Sequence, residues 1–205
     1  MGKTLDESFF LCPVWEVAQA LLGKVLIVRT AEGEAAVRIT ETEAYGGVTD
    51  RACHAYGGRR TPRNAPMYER GGTLYLYKCY GIHHMLNIVT GEEGDPCAVL
   101  VRAGEPLWGI PLMMKRRNAP LSRLTVGPGS LTKALAIPLT WSGHSALNHP
   151  FLRLEEDSFV PQRICCGARI GVEYAGEDAL HPWRYWIEGS PFVSHPRRAA
   201  FVKPV

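Results

Sequence analysis

No stretch of this chain approaches the roughly 20 consecutive apolar residues that a membrane-spanning helix requires. Its opening, Met1-Gly2-Lys3-Thr4-Leu5-Asp6-Glu7, puts acidic residues where a secretion signal has its apolar core. Asp6 also stands where the myristoylation pattern asks for Ser or Thr. The expectation is no membrane, no secretion signal and a cytoplasmic location, nucleoid-associated if bacterial. The six cysteines, at 12, 53, 79, 97, 165 and 166, include no Cys-x-x-Cys pair, and Cys165-Cys166 is a vicinal pair ill suited to an ordinary disulfide. Reduced thiols are expected, and neither zinc nor any other metal or cofactor. Internal repeats and low-complexity tracts are missing. Gly127-Pro128-Gly129-Ser130 leads into a helical pattern but lacks the Walker spacing, which argues against a nucleoside triphosphate. Neither sign of charge dominates: 23 Lys and Arg against 20 Asp and Glu give +3 and a pI near 8.5, which permits nucleic-acid binding without demanding it.

What is present suits one domain spanning residues 1–205 with no visible boundary. The 21 Gly and 15 Pro imply many loops. Pro13 opens a helix in which Val14, Val17, Ala18, Leu21 and Leu22 share a face, and Gly23 stops it. Strands are expected over about 25–29 and 35–45. Without a bulge, Val37, Ile39, Glu41, Glu43 and Tyr45 lie on one face of the second, an apolar row ending in carboxylates. Residues 46–72 are rich in Gly, Pro and Arg and read as a long functional loop. A hairpin follows over about 73–89, then a strand at 98–102 and a helix at about 112–117. Ser130 reads as the N-cap of the next helix, and 168–172 and 183–187 read as strands. Basic residues recur along the chain at Arg59-Arg60, Arg63, Lys115-Arg116-Arg117, Arg123, Lys133 and Arg197-Arg198.

The hairpin is the most telling piece. Tyr75-Leu-Tyr77-Lys-Cys-Tyr80-Gly81 turns into Ile82-His83-His84-Met85-Leu86-Asn87. A tyrosine on a rigid tip can wedge into a stack of bases. Carboxylates and further tyrosines upstream, at Thr40-Glu41-Thr42-Glu43-Ala44-Tyr45, suit an enzyme that takes a base out of a duplex and cuts its glycosidic bond. His83 and His84 are adjacent on a strand, point to opposite faces and do not share a metal. Lys78 is one residue out of phase with Tyr77, so an imine-forming lyase is not expected.

Taken in order, Glu-Thr-Glu-Ala-Tyr at 41–45, His54, Gly-Gly-Arg-Arg-Thr-Pro-Arg-Asn at 57–64, Gly-Thr-Leu-Tyr-Leu-Tyr at 72–77, Tyr80-Gly81, Asn87, Arg102-Ala103 with Glu105-Pro106, and Gly127-Pro128 resemble the alkyladenine (3-methyladenine) DNA glycosylase family over about residues 14–193. The resemblance implies a mixed α/β (α+β) fold: a single domain around a curved, mainly antiparallel β-sheet with a protruding β-hairpin. It implies a monofunctional base-excision repair enzyme that flips alkylated or deaminated purines, of the 3-methyladenine or hypoxanthine type, and hydrolyses the N-glycosidic bond. Glu43 then takes the role of catalytic carboxylate, with Arg102 positioning it and the water. Tyr45, His54, Tyr77 and Asn87 form the base pocket, with Asn87 excluding guanine. Tyr80 intercalates, and Thr61, Arg63, Ile82 and Gly127 contact DNA phosphates. The partner is double-stranded DNA containing damaged purines, and the chain is a monomer. Glu41 competes with Glu43, but Glu43 stands nearer the cleft end, so replacing Glu41 is expected to matter much less. A non-catalytic nucleic-acid binding module on the same fold is the alternative. A carbohydrate hydrolase would need two carboxylates flanking the bond, which Glu41 and Glu43 on one strand cannot do.

Overall fold

Val37, Ile39, Thr40, Thr42 and Tyr45 favour extended backbone, and residues 33–45 form the spine of the protein, strand β2 (Gly33–Tyr45). The computed structural model describes residues 2–195, 199 and 201–204; the Arg197-Arg198 pair lies outside them. Strands β3 (Leu74–Cys79), β4 (His83–Thr90), β5 (Cys97–Trp108), β2, β8 (Arg184–Ile187), β7 (Arg163–Gly167) and β9 (Phe201–Pro204) follow one another across one sheet. Strand β1 (Val25–Thr30) pairs with the first half of β2 and with β6 (Leu152–Glu155). Every pairing is antiparallel. Along one edge of β2, the partner changes from β1 to β8 at Glu41–Glu43. On its other edge, the register against β5 shifts between Ala36 and Val37 and twice between Ile39 and Thr42. Such irregularities bend a strand and raise its twist, which curves the sheet at the level of the two glutamates. The fold is the mixed α/β domain with a curved antiparallel sheet that the sequence implies.

Side-chain alternation divides the sheet into two faces. Leu74, Leu76, Leu86, Ile88, Val99 and Val101 belong to the main core, with Val17, Ala18, Met113, Leu131 and Leu135 from three helices: α2 (Val14–Ala20), α3 (Ile110–Arg117) and α4 (Pro128–Leu135). A one-turn helix, α1 (Glu7–Phe10), precedes them and buries Phe10. Tyr75, Val89 and Ala98 face the other way, into a smaller cluster roofed by Cys53, Ala55, Met67 and Tyr68, with Tyr45 and Tyr77 packed against it. The helices thus occupy one face, and the other is left to the long loop. That loop, residues 46–72, is ordered by three short 3₁₀ turns, at Gly47–Thr49, Tyr56–Gly58 and Ala65–Tyr68.

Three expectations need correction. Residues 168–172 are not a strand: β7 ends at Gly167, because Arg169 and Ile170 turn out of the sheet to bind Asp50 and Glu43, and Gly171 (φ +77°) completes the turn. Ser130 is not an N-cap: α4 starts at Pro128, and Gly127, with φ +96°, holds the cap position. Strand β5 continues six residues past Arg102 to Trp108, with Pro106 beside the register shift at Ala36/Val37, a position where a missing N–H is tolerated. Among the described residues, no helix is long and apolar enough to cross a membrane.

Candidate active site

Alternation on β2 and β5 brings Glu43, Tyr45 and Arg102 to the helix-free side of the curved sheet. Arg102 Nη1 donates to Glu43 Oε2 at 3.0 Å and Nε donates to Glu41 Oε1 at 2.9 Å, so one guanidinium ties both carboxylates. The Tyr45 hydroxyl donates to Glu43 Oε2 (2.9 Å), and the Ile170 amide to Oε1 (2.8 Å). A carboxylate has about four acceptor sites, so three are filled and one is left. Glu43 is completely buried. It lies just behind the surface of the cleft, and Tyr45, Arg102 and Ile170 all line that surface. Although burial opposes its charge, the carboxylates of Glu43 and Glu41 hold Arg102 firmly protonated. Burial, then the charge of Glu43, pushes the Tyr45 hydroxyl well above its ordinary range, so it remains a donor.

Glu41 is equally buried but is turned to a different purpose. It accepts from Arg184 Nε (2.7 Å), the Ser194 amide (2.7 Å) and the Ser194 hydroxyl (2.7 Å), besides Arg102. Burial raises its pKa, but Arg102, Arg184 and Ser194 outweigh this and bring it below the ordinary carboxylate value. Glu41 is absent from the cleft lining and locks the centre of the sheet to the segment after β8. It is therefore a structural keystone, a task that the sequence did not reveal.

The cleft in front of Glu43 has a volume of about 520 Å³, within the usual range for small-ligand sites. The His54 ring stands edge-on to Tyr77 at 4.6 Å, and its Nδ1 lies 2.7 Å from the Tyr75 hydroxyl. Burial, followed by the charges of Arg63 and Arg59, lowers the His54 pKa, which keeps the imidazole neutral near pH 7. Burial raises the hydroxyl pKa of both Tyr75 and Tyr77. Behind Tyr45, the Arg169 guanidinium sits 4.9 Å from the ring centre. Asn87 is buried in the lining, and its Nδ2 donates to the carbonyls of Tyr75 (3.1 Å) and Met85 (3.4 Å). Those two anchors prevent it from swinging aside. Tyr45, His54, Tyr77 and Asn87 are thus brought together around one cavity, beside Arg102.

At the mouth stands the hairpin tip. Tyr80 (φ +50°) and Gly81 (φ +72°) make two consecutive left-handed residues, the pattern of a tight primed turn. Tyr80 is 87% exposed. The four residues expected to meet phosphates fare differently. Arg63 is at the rim, its Nη2 donating to the Lys78 carbonyl (3.1 Å) and its guanidinium near the Tyr77 ring. Gly127 heads α4 next to Pro128, which lines the cleft. Thr61 spends both of its donors inside the loop, amide and hydroxyl each bonding Asn64 Oδ1 (2.6 and 2.9 Å). Ile82 has no donor to offer: its amide bonds the Cys79 carbonyl and closes the turn, and its exposed aliphatic side chain stands beside Tyr80 instead. In the free protein, then, Arg63 and the head of α4 offer donors toward the cleft mouth, whereas the donors of Thr61 and Ile82 are engaged within their own loop and turn.

Sequence reasoning missed the support around this site. Asp50 and Arg169 form a fully buried pair (2.5 and 2.8 Å), and Arg169 Nη1 also donates to the Ala44 carbonyl. This pair joins the loop after β2 to the loop after β7. Tyr174, 70% exposed, donates its hydroxyl to the Ala52 carbonyl (3.1 Å) and bridges the same two loops at the cleft edge. An Asp and an Arg 119 residues apart give no local signal. Among the described residues, no cluster of three potential metal ligands occurs; His84 Nδ1 faces the Ile137 carbonyl, and the His83 ring lies over Gly129.

A buried carboxylate held by an arginine and a tyrosine, behind an aromatic cleft with a projecting tyrosine at its mouth, is the equipment of a base-excising DNA glycosylase. The chain belongs to the methylpurine-DNA glycosylase (MPG) family, whose sequence model matches residues 8–191. It is 44% identical over 193 residues to a protein of Oceanobacillus iheyensis, covering 94% of this chain and 96% of that one. It is also 44% identical over 191 residues to one of Borrelia garinii subsp. bavariensis (93% and 99%), and 43% identical over 194 residues to one of Methanocella arvoryzae (93% and 95%). All three carry the name "Putative 3-methyladenine DNA glycosylase".

Proposed function

We propose that this enzyme excises alkylated purines of the 3-methyladenine type, and the deaminated purine hypoxanthine, from double-stranded DNA. The damaged nucleotide is flipped into the cleft and hydrolysed by a water that Glu43 activates. The observation that carries this reading is the setting of Glu43: three fixed donors fill three of its acceptor sites, and those donors line a cavity of about 520 Å³, ample for a purine, walled by Tyr45, His54 and Tyr77. The remaining site suits a water on the sugar side of the flipped base. As the glycosidic bond breaks, positive charge builds on the sugar, and a carboxylate both stabilises it and takes the proton of the attacking water. Arg102 orients that carboxylate through a direct hydrogen bond.

Electron-rich rings favour a flat cation, and a neutral His54 adds no repulsion. Cationic alkylated purines leave without protonation, so the pocket needs no strong acid for them. Asn87, anchored to two carbonyls, excludes by volume the exocyclic amine of guanine. Tyr80, with Ile82 beside it, fills the gap left in the duplex. Arg63 and the head of α4 at Gly127 contact the backbone, and the enzyme acts as a single chain. The test is release of free base from duplex oligonucleotides carrying 3-methyladenine or hypoxanthine, followed by strand scission at the abasic site. Base release supports the reading; tight binding of both duplexes with no release would instead make the protein a non-catalytic binding module.

A further inference from the structure

Gly129 stands in the first turn of α4, where a glycine still carries some conformational cost relative to alanine. Its backbone gives no reason for that cost, because Gly129 is not among the residues with positive φ. Space does. A β-carbon at position 129 would stand 2.7 Å from Cγ and Nδ1 of His83 and 2.8 Å from its Cβ. The His83 ring is seated on the bare Cα of the helix.

The neighbouring contacts fall in the same corner. Thr132 Oγ1, one turn along α4, donates to the His84 carbonyl (2.9 Å), and His84 Nδ1 lies 2.9 Å from the Ile137 carbonyl just beyond the helix. His83 pairs with Cys79 across the hairpin, immediately before the turn that carries Tyr80. Beyond that pair the tip stands alone: Tyr80 and Ile82 are largely exposed, and nothing lies within 4 Å of where a Gly81 β-carbon would be.

We propose that His83, Gly129 and Thr132 form a buttress that sets the pitch of the hairpin and so fixes where Tyr80 enters the duplex. These are positioning residues, acting through Tyr80; the inference rests on the intercalating role given to Tyr80 above. A side chain at 129 lifts His83, tilts the last rungs of the hairpin and displaces the wedge. Misplacement by about 1 Å is enough to lower rates by up to roughly 10²-fold.

The test uses the full-length chain and a duplex with a fluorescent base beside the lesion, reporting the flipped population, together with single-turnover excision. Gly129→Ala is expected to lower both roughly tenfold, with thermal melting close to the parent. His83→Ala, which removes the seat without crowding the helix, is expected to lower both by a smaller factor and carries the test if the first variant does not fold. The decisive arm is epistasis: in a Tyr80→Ala background neither substitution has a further effect. Losses that multiply with that of Tyr80→Ala, or no loss in folded variants, overturn the buttress. If Tyr80→Ala itself leaves the flipped population unchanged, the intercalation reading falls, and the buttress with it. If Tyr80→Ala lowers flipping but neither His83→Ala nor Gly129→Ala does, only the buttress falls.

Discussion

Arg102 reaches Glu41 through Nε and Glu43 through Nη1, yet the two carboxylates behave as different kinds of residue. Glu41 receives four hydrogen bonds in a sealed site, from Arg102, Arg184 and the amide and hydroxyl of Ser194, and Arg184 also donates to the Ser194 carbonyl. Removing one charge from such a buried cluster costs about 3–5 kcal/mol. Glu41→Gln should therefore lower the denaturation midpoint markedly, while the molecules that remain folded excise at a rate much closer to the parent than those of Glu43→Gln. Unchanged stability would contradict the keystone role. Asn87 makes a prediction of its own: Asn87→Ala should raise excision of guanine-derived lesions relative to adenine-derived ones, because the anchored amide no longer fills that volume. A parent-like ratio in competition assays would remove Asn87 from this role. The sequence made Glu43, Arg102 and the pocket tyrosines legible because each lies in a short motif with a fixed strand phase. It ranked Glu43 above Glu41 for the chemistry but could not show Glu41's structural task, since that rests on Arg184 and Ser194, 143 and 153 residues away.

At the scale of elements, the hairpin is rooted in the core through Leu74, Leu76, Leu86 and Ile88, and its tip is the most exposed part of the site. Tyr80→Ala removes a ring that is 87% exposed in the free enzyme. It should melt like the parent yet bind lesion-containing duplex more weakly by roughly 1–3 kcal/mol, the worth of one base-stacking aromatic. Titration of a labelled duplex measures this directly, and an unaltered Kd would contradict the wedge. The hairpin was readable from the sequence because strand-forming residues flank a Tyr-Gly turn. The 46–72 loop was readable as a loop, but not in its detail. Thr61 looked available to a phosphate until Asn64 Oδ1 claimed both of its donors. Residues 168–172 looked like a strand because Arg-Ile-Gly-Val has strand composition; the bonds from Arg169 to Asp50 and from Ile170 to Glu43 override that local preference.

For the whole molecule, the buried titratable groups set a pH profile of stability. His54 and His149 have pKa values lowered by burial from the ordinary 6.5. The unfolded chain therefore binds more protons than the folded one below that value, and stability falls as pH drops through it. Glu41 and Asp50 also lie below their ordinary 4.5 and 3.8, burial being outweighed by their arginine partners. Their contribution is complete above those values and is lost as pH falls further. The expected profile is a shallow decline beginning below about pH 6.5 and a steeper one below about 4.5. Denaturant melts across this range check it; a profile flat down to pH 4 would contradict the buried-charge account.

The central claim is that Glu43 does chemistry rather than structure. Glu43→Gln preserves the volume and keeps an oxygen for the Tyr45 and Arg102 donors, giving up the bond from the Ile170 amide, and it cannot take a proton from water. Single-turnover excision from a 3-methyladenine or hypoxanthine duplex, measured beside equilibrium binding of the same duplex, tests this most directly. The account predicts that excision falls by roughly 10²-fold or more while lesion binding stays close to the parent, since affinity comes from phosphates, stacking and the pocket. Near-parent excision by Glu43→Gln, with binding intact, would contradict it.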